Sequence, residues 1–367
     1  MAKDPQSLEA RLGELRAAID GADDDILALL NRRAELVTEV AGLKTALEVP
    51  FYVPSRERQI ADRLSAKNPG PFPTDAIRAV FQEIFSACLT LEKRVRVAYL
   101  GPEGTFSQMA VKQQFGLSAR ATPIGTIPGV FDEVARGNAD FGVVPVENTT
   151  EGGIIHTFDT FLDSDLKISA EIALQVHMCL LARSGVELGD IERVYSLPVA
   201  AGQCRRWLAR NLPRATSVES RATADGARLA HDDARGAAVA AEIAARLYEL
   251  AVLRRNIEDS SHNMTRFLVV GRDQAEPTGR DKTSLLLVTR DEPGILYRVL
   301  GAFAERGLNM TKIESRPSRR RPWEYVFFVD VDGHQTDGAV AAALADVQKS
   351  CESLKVLGSY PRAESTP

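Results

Sequence analysis

The spacing of apolar residues divides the chain into a helical first part, an alternating middle part and a mixed last part. In the first part leucine, isoleucine and valine recur at helical spacing, and no strand pattern appears before Val95. Pro50 and Pro54 close the longest helix, and Thr74 caps the third. The predicted helices cover residues 8–47, 55–67 and 74–94.

The middle part, from Arg96 to about Arg272, alternates short apolar runs with segments of helical spacing. The apolar runs predict strands at 96–100, 140–144, 166–173, 177–181, 194–196 and 237–239. Helices are predicted from about Gln108 and at 128–136, 154–162, 200–211, 222–232 and 240–249. This alternation is typical of an α/β domain, which we expect to have two lobes with a cleft between them.

The last part follows a polar segment, Arg272 to Arg280, whose Pro277 and Gly279 indicate a linker. Its pattern predicts, in order, a strand, a helix, two strands, a helix and a strand. These elements cover residues 284–289, 295–305, 308–315, 325–331, 339–349 and 354–358. That order is typical of a ferredoxin-like α+β unit.

Composition narrows the class of function. The 367 residues carry a formal net charge of −5 with a pI near 5.7, which argues against a nucleic-acid or anionic-membrane partner. Residues 1–10 are polar, and no apolar run is long enough to span a bilayer. We interpret Arg319, Arg320 and Arg321 as a solvated hairpin loop rather than a nucleic-acid patch.

Cysteine and histidine usage predicts a cytoplasmic protein without a metal or cofactor. The four cysteines are scattered without a Cys-x-x-Cys pair, which is typical of buried thiols in a reducing compartment. The five histidines form no cluster with the spacing of metal ligands.

Cations interrupt the apolar stripe of the first helix. Arg33 lies between Leu29 and Leu36, Lys44 follows about three turns later on the same face, and Arg16 lies roughly a quarter-turn away. Two cations on an apolar face need an anionic partner, because an unpaired buried charge is costly. Snorkelling side chains or internal ion pairs are the alternative. Two short helices cannot bury so long a stripe, so we expect a homodimer or higher homo-oligomer that shares one core.

Residues 6 to 94 resemble the all-helical chorismate mutase domain, through Leu15-Arg16-x-x-Ile19, Leu29-Leu30-x-x-Arg33-x-x-Leu36, Lys44 and Arg56-Glu57-Arg58. The resemblance implies an intertwined dimer in which basic side chains grip the two carboxylates of chorismate. It assigns Arg16 to the partner's site, Arg33 and Arg56 to the carboxylates, Lys44 to the ether oxygen and Glu57 to the substrate hydroxyl. The reaction is a pericyclic rearrangement to prephenate, so the protein must hold a compact dianion and stabilise charge on the ether oxygen.

Two positions of the third helix depart from this resemblance. Cys88 stands where relatives often carry Ser, and Glu92 stands where some carry Gln facing the ether oxygen. A carboxylate at Glu92 repels developing negative charge, whereas a neutral carboxylic acid donates a hydrogen bond. We therefore expect mutase activity to fall as pH rises and Glu92→Gln to flatten the profile.

A hydroxyl and a guanidinium, Thr265 and Arg266, stand where the polar run 259–263 enters the apolar run 267–270. A rigid strand holds such groups in register with a ligand. Together with three earlier segments, this stretch resembles prephenate dehydratase, which implies two lobes like those of periplasmic binding proteins with the site between them. The ordered motifs are Gly101-x-x-Gly104-x-x-Ser107, Pro145-x-Glu147-Asn148-x-x-x-Gly152, Tyr195-Ser196-x-Pro198 with Gln203, and Asn263-x-Thr265-Arg266-Phe267.

The second resemblance implies loss of carbon dioxide and water from prephenate, giving phenylpyruvate. Thr265 is the candidate catalytic group, which hydrogen-bonds or protonates the leaving hydroxyl. Aromatisation supplies the driving force, so modest acid assistance suffices. Arg266 is either a carboxylate anchor or a structural ion-pair partner. The candidate prephenate-binding residues are Asn148, Thr149, Ser196, Gln203, Thr265, Arg266 and Phe267.

Residues 283 to 361 resemble the ACT regulatory domain of phenylalanine-inhibited dehydratases. Pro293-Gly294-Ile295-Leu296 opens its first helix, and Glu314-Ser315-Arg316-Pro317 ends its second strand. The resemblance implies that L-phenylalanine binds between paired ACT domains near the first loop–helix junction. The candidate effector-binding residues are Gly294, Ile295, Leu296, Glu314, Ser315 and Arg316.

The three resemblances, over 6–94, 96–272 and 283–361, follow the order of the bifunctional chorismate mutase–prephenate dehydratase family. The expected fold is therefore multidomain: an all-α mutase domain, an α/β two-lobed dehydratase domain and an α+β ferredoxin-like ACT domain. The first module's product feeds the second, and the third senses the end product. Two other interpretations stay open, a non-catalytic amino-acid sensor and a dehydratase with an inactive helical arm.

Overall fold

The first part of the chain folds into helices, as the apolar spacing predicts. The structure, a computed structural model, describes residues 5–47, 49, 51–289, 292–317 and 325–363, so Pro50 and residues 319–321 lie outside it. The helices are α1 (Pro5–Leu47), α2 (Pro54–Lys67) and α3 (Thr74–Glu92). The prediction that Thr74 caps α3 is wrong. Pro73 holds the cap position, and the Thr74 hydroxyl accepts a hydrogen bond from Asn68 instead.

The apolar stripe of α1 faces solvent within one chain. The helix has 43 residues and is about 65 Å long, and Ile19, Leu29 and Leu43 are each more than half exposed. Leu8, Leu12, Leu15, Ile26, Leu27, Leu36, Val40 and Leu47 are also exposed. A continuous apolar stripe of this length indicates a surface that a second protein surface covers. None of the described helices is long and apolar enough to cross a membrane.

The middle part begins with five of the six strands of a first sheet and with the helices that cover it. Its strands are β1 (Arg96–Leu100), β2 (Arg120–Ile124), β3 (Phe141–Asn148), β4 (Gly152–Gly153) and β5 (Lys167–Gln175). Its helices are α4 (Phe106–Phe115), α5 (Ile127–Ala135) and α6 (Ile155–Asp163). Strand β1 runs parallel to both β2 and β3, as strands joined through helices do.

A second lobe follows. Its strands are β6 (Cys179–Ala182), β7 (Arg193–Ser196), β8 (Thr216–Glu219), β9 (Gly236–Ala240) and β10 (Ala251–Arg254), and its helices are α7 (Pro198–Gln203), α8 (Arg205–Asn211), α9 (Thr223–Asp232) and α10 (Glu242–Leu247). These strands form one sheet of order β10-β6-β9-β7-β8. The chain then returns to the first lobe as β11 (Met264–Gly271), which pairs with both β3 and β5. The predicted two-lobed α/β domain is confirmed.

Two segments cross between the lobes, and they are bonded to each other. The Val176 N–H donates to the Asn263 carbonyl at 2.8 Å, and the Ile257 N–H donates to the Met178 carbonyl at 2.9 Å. Paired crossings hold the ends of the two sheets close together. Residues at the end of β3, the start of β11 and the second crossing therefore lie beside the cleft.

The strands that the apolar pattern missed are edge strands. β2 ends the first sheet, and β8 and β10 end the second; β2 and β8 are largely exposed, whereas most of β10 is half-buried. β2 and β8 carry polar side chains and lack the apolar run that marks a buried strand, whereas β10 is a short apolar run that the prediction missed. The predicted helix 200–211 is two helices. The Asp259 carboxylate accepts the backbone N–H groups of Arg206 and Trp207 at 2.9 and 3.2 Å, which starts a new helix at α8.

The last part is the predicted α+β unit. Its elements are β12 (Asp281–Thr289), α11 (Ile295–Ala304), β13 (Met310–Pro317), β14 (Tyr325–Asp332), α12 (Gly338–Ser350) and β15 (Cys351–Pro361). The sheet order is β13-β14-β12-β15, and all neighbours are antiparallel. The βαββαβ order is therefore confirmed, with β13 at one edge.

The helical part is anchored in the core of the first lobe. Tyr52, between α1 and α2, lies with its ring centroid 5.1 Å from that of Phe115 and 5.2 Å from that of Phe141. Gln114 donates to the Tyr52 hydroxyl at 2.9 Å, and its carbonyl accepts from Gln82 of α3 at 2.9 Å. The helical part and the first lobe therefore meet in a packed interface.

The last part also shares a core with the first lobe. The rings of Phe158 and Phe328 lie 4.7 Å apart between centroids. The backbone of Gly358 in β15 lies against that of Ile168 in β5, because a Cβ at Gly358 would stand 2.3 Å from the Ile168 carbonyl oxygen. One face of the last sheet therefore packs on the first lobe, and α11 and α12 pack against the sheet's own separate core.

Candidate active sites

A cluster of charged side chains forms where the three helices meet. Arg33 and Lys44 come from α1, Glu57 from α2 and Glu92 from α3. The Lys44 ammonium lies 2.9 Å from the Glu92 carboxylate. The Arg33 guanidinium lies 5.2 Å from the centroid of the Phe85 ring, and its Nη1 is buried without a hydrogen-bond partner among the described residues. Buried donors normally have a partner, so this N–H is a candidate ligand-binding group.

Glu57 differs from an ordinary surface carboxyl. Burial raises the pKa of Glu57 to about 8, while the charges of Arg33 and Lys44 oppose the rise and that of Glu92 adds to it. A carboxyl with this pKa keeps its proton at neutral pH. The cluster then presents a neutral donor at Glu57 beside the unused N–H of Arg33, which favours a bound anion.

The structure brings five of the seven predicted mutase residues together and leaves two outside. Phe85, Cys88 and Glu92 follow each other on one face of α3, and Cys88 is buried. Arg56 is exposed at the start of α2. Arg16 is exposed and lies on α1 about 25 Å from Arg33. One chain therefore does not assemble the complete predicted set.

A second, uncharged cluster lies where β3 ends and β11 begins. Thr265 stands directly opposite Asn148 in the strand pairing. The Asn148 side-chain amide donates to the Thr265 hydroxyl oxygen at 2.9 Å, and its carbonyl oxygen accepts the Thr150 N–H at 2.8 Å. Both ends of the Asn148 side chain are thereby fixed. Because the Thr265 oxygen accepts this bond, its O–H hydrogen is directed elsewhere and can donate.

Asn263 links this cluster to the second lobe. Its side-chain oxygen accepts from Asn148 at 2.9 Å, and its amide donates to the side-chain oxygen of Gln203 in α7 at 2.8 Å. Asn263 is only 1% exposed. Asn263 belongs to the fourth sequence motif, but the motif predicts no role for it. Its place two residues before Thr265 was the only available signal.

Three other predicted residues are held by the protein itself. The Thr149 hydroxyl donates to the backbone carbonyl of His262 and accepts from the Met264 N–H, both at 2.9 Å. The buried Ser196 hydroxyl donates to the next carbonyl at 3.0 Å. Phe267 lies in the apolar core of the first lobe. Thr149 and Phe267 therefore shape the strands, and we leave them out of the proposed binding set.

Arg266 is directed away from the cleft and toward the last part of the chain. Its guanidinium lies 3.0 Å from Glu147, 2.7 Å from Glu171 and 2.7 Å from Asp330, and it donates to the Tyr360 hydroxyl at 2.9 Å. Burial lowers the pKa of Arg266, but these four neighbours outweigh burial and raise it. Of the two roles that the sequence left open, the geometry favours the structural ion-pair partner.

The first predicted effector segment opens α11. Gly294 is the cap residue with a φ of 76°, a left-handed conformation that glycine adopts at little cost. Ile295 and Leu296 follow as the first helical residues and are half-buried.

The second predicted effector segment lies on the edge strand β13. The Glu314 carboxylate lies beside β4 of the first lobe. If Gly153 of β4 carried a Cβ, that atom would lie 3.3 Å from a Glu314 oxygen. Ser315 is exposed. The Nε of Arg316 is buried without a hydrogen-bond partner among the described residues. Ile313 of β13 and Tyr325, the first residue of the neighbouring strand β14, are both exposed, so this side of the sheet presents apolar side chains to solvent in one chain.

Models of three protein families match the chain, in the order of its three parts. Chorismate mutase type II matches residues 15–93, prephenate dehydratase matches residues 97–275 and the ACT domain matches residues 283–348. Each candidate cluster therefore lies inside the corresponding family match.

Whole-length relatives and a solved structure agree with these matches. The bifunctional chorismate mutase/prephenate dehydratase of Aquifex aeolicus is 48% identical over 96% of this chain and 98% of its own length. That of Stutzerimonas stutzeri is 43% identical over 96% of this chain and 98% of its own length. The prephenate dehydratase of Arthrobacter aurescens, solved with L-Phe, superposes with a TM-score of 0.69 at 38% identity, covering 73% of this chain and 90% of that one.

Proposed function

The chain belongs to the bifunctional chorismate mutase/prephenate dehydratase family, and we propose that its two reactions take place at the two clusters described above. It is an enzyme of phenylalanine biosynthesis that rearranges chorismate to prephenate and then converts prephenate to phenylpyruvate. The observation that supports the assignment is that each cluster has the chemistry its reaction needs. We keep 6–94, 96–272 and 283–361 as the proposed module bounds.

In the mutase site, cations receive the substrate dianion. Arg33 binds a carboxylate through its unused buried N–H, and Arg56 turns inward to bind the other. Lys44 stabilises the charge that develops on the ether oxygen as the C–O bond breaks. Glu92 contacts the Lys44 ammonium at 2.9 Å; when chorismate draws Lys44 to the ether oxygen, Glu92 takes up a proton and becomes a second donor there. Neutral Glu57 hydrogen-bonds the substrate hydroxyl.

The mutase site needs a second chain. Arg16 is too far from Arg33 along a straight helix to join the site of its own chain. The exposed stripe of α1 supplies the surface for a homodimer in which each Arg16 enters the partner's site. Cys88 then packs beside the substrate without taking part in the chemistry.

In the dehydratase site, neutral groups orient prephenate and assist the departure of its ring hydroxyl. The ring carboxylate leaves as carbon dioxide, its electron pair enters the ring, and the ring hydroxyl leaves from the opposite carbon. Asn148 holds the Thr265 oxygen so that the Thr265 O–H donates to that hydroxyl, which departs as water once protonated. The Gln203 amide and Ser196 orient the substrate from the second lobe.

Feedback inhibition acts through the ACT domain, and its effector is L-phenylalanine. We propose that two ACT domains pair along β13, and that the exposed Ile313 of β13 and Tyr325 of the neighbouring strand β14 then become buried. The effector then contacts Gly294, Ile295 and Leu296 of one domain and Glu314, Ser315 and Arg316 of the other. Inhibition requires L-phenylalanine to favour one domain arrangement over another.

A cytoplasmic location is part of the same proposal. All four cysteines, Cys88, Cys179, Cys204 and Cys351, are buried and unpaired. Free buried thiols are typical of a reducing compartment.

One pair of assays tests the assignment. The protein is mixed with chorismate and, separately, with prephenate, and the loss of chorismate and formation of phenylpyruvate are followed. Both reactions are expected. A protein that consumed neither substrate would be an amino-acid sensor, and one that consumed only prephenate would carry an inactive helical arm.

A further inference from the structure

An ionic cluster joins the dehydratase and ACT domains behind the dehydratase site. We call it the joint cluster; its members are Glu147, Glu171 and Arg266 of the dehydratase domain and Lys282, Lys312 and Asp330 of the last sheet. Lys282 precedes the proposed ACT bound by one residue but belongs to the first strand of that sheet, β12, and is counted with the ACT domain. The dehydratase domain brings two carboxylates and one guanidinium, and the ACT domain brings two ammonium groups and one carboxylate. The dehydratase side therefore carries a net charge of −1 and the ACT side a net charge of +1, and the two cancel when the domains are docked. The contact is therefore electrostatically complementary.

Two cations of the joint cluster converge on Glu147. Arg266 lies 3.0 Å from one Glu147 oxygen, and the Lys312 ammonium contacts the other. Lys312 also lies over the Phe158 ring, 5.3 Å from its centroid, and its side chain is 13% exposed. A carboxylate held at both oxygens by two partly buried cations has little freedom to rotate.

Glu147 is placed where it affects the reacting groups. Arg266 faces Glu147 in the strand pairing, and the next pair is Thr265 with Asn148. The register of β3 and β11 shifts immediately after the Arg266 pair. An irregular pairing of this kind is less firmly fixed by backbone bonds than a regular ladder. Contacts that pin Glu147 therefore also set where the Asn148 amide meets the Thr265 hydroxyl.

We propose that Lys312, although it belongs to the ACT domain, is a positioning residue for the dehydratase reaction. By holding Glu147 it keeps the Asn148 amide against the Thr265 oxygen. The inference rests on the proposed roles of Thr265 and Asn148. It makes the ACT domain part of the support of the active site, in addition to its binding of an effector. Lys312 stands two residues before Glu314 on β13, so a shift of that strand reaches Asn148 through Glu147.

The test uses the full-length protein and compares Lys312→Met with Lys355→Met. Lys355 bridges the same two domains by donating to the carbonyls of Phe161 and Ser164, whereas Lys312 contacts the Glu147 carboxylate. In Lys312→Met we expect the dehydratase kcat to fall about tenfold, because small misplacements of a catalytic group are costly. The KM for prephenate and the mutase kinetics change less than about twofold. Lys312→Arg, which restores the cation, regains most of the kcat.

A double-mutant cycle shows whether Lys312 acts through Glu147. In a Glu147→Gln background, Lys312→Met should lower kcat no further. The proposal is overturned by an unchanged kcat in Lys312→Met, by an equal fall in Lys355→Met, or by additive losses in the cycle. If both Lys312 variants unfold on heating far below the wild type, Glu147→Gln decides alone. It must lower the dehydratase kcat, and an unchanged kcat overturns the proposal. Failure of Thr265→Ala to lower the kcat would instead reject the site assignment itself.

Discussion

The clusters proposed for the mutase and for the dehydratase differ in charge and in the elements that carry them. The mutase cluster is charged and lies among helices, with Lys44 and Glu92 2.9 Å apart and Arg33 holding an unused buried donor. The dehydratase cluster is neutral and lies on paired strands, where Asn148 meets Thr265 at 2.9 Å and Asn263 meets Gln203 at 2.8 Å. A dianion that builds up charge needs cations, whereas an elimination driven by aromatisation needs positioned donors.

In the proposed assignment the two clusters also differ in how many chains they need. The dehydratase relay from Gln203 to Thr265 is complete within one chain. The mutase set is not, because Arg16 is exposed at the far part of α1 beside an uncovered apolar stripe. We therefore expect the two activities to respond differently to changes at the clusters, in the dimer surface and in pH.

The largest expected effect is on the dehydratase. Thr265→Ala removes the proposed donor to the leaving hydroxyl and should lower the dehydratase kcat about a thousandfold, within the usual range for such a group. Mutase turnover should stay within about twofold, since the clusters are separate. Both rates are measured on one preparation, with Thr265→Ser as the variant that keeps the hydroxyl. Parallel loss of both activities would contradict separate sites.

The converse change is expected to act on the mutase alone. Arg33→Ala removes the buried guanidinium and should lower mutase kcat/KM about a hundredfold or more. Arg32→Ala is the matched control, because Arg32 is the adjacent, exposed arginine of α1. Steady-state assays with chorismate and prephenate separate the outcomes. The comparison fails if Arg32→Ala is as damaging as Arg33→Ala.

A charge introduced into the apolar stripe of α1 should dissociate the proposed dimer and lower the mutase rate, but not the dehydratase rate. Ile19 is 59% exposed in one chain, and Ile19→Asp would bury a carboxylate in the proposed dimer surface. We expect dissociation in size-exclusion chromatography with light scattering, and a loss of mutase rate of about tenfold at low protein concentration. Ile19→Leu is the control. A dimer that persists with full mutase activity would show that α1 is not the dimer surface.

The smallest expected effect concerns pH. The pKa of Glu57 is raised to about 8, so Glu57 becomes negative as pH rises past 8 and then repels the chorismate dianion. The KM for chorismate should rise about threefold to tenfold between pH 7 and 9, while the dehydratase changes less. Glu57→Gln and Glu92→Gln identify the titrating group, because only the responsible substitution flattens the profile. If neither flattens it, another group sets the pH dependence.

Periodicity and motif order predicted much of this molecule. The spacing of Arg33 and Lys44 placed both cations on one face, and the structure brings both close to Glu57 and Glu92. The spacing did not reveal the edge strands β2 and β8, whose exposed polar side chains hide them, nor the short, half-buried edge strand β10. It also gave no role to Asn263, because a buried amide that joins two lobes looks like any turn residue in sequence.

By itself the amino-acid sequence determined the order of the three domains, the long helix with its cations and the ordered polar motifs. These are properties of neighbouring positions, and helical or strand spacing expresses them directly. Only the tertiary structure decided that Arg266 supports the domain junction and that Glu57 keeps its proton at neutral pH. Both depend on burial and on partners far apart along the chain, such as Glu147, which lies 119 residues before Arg266. Local spacing carries no information about such distances, whereas the folded core sets them.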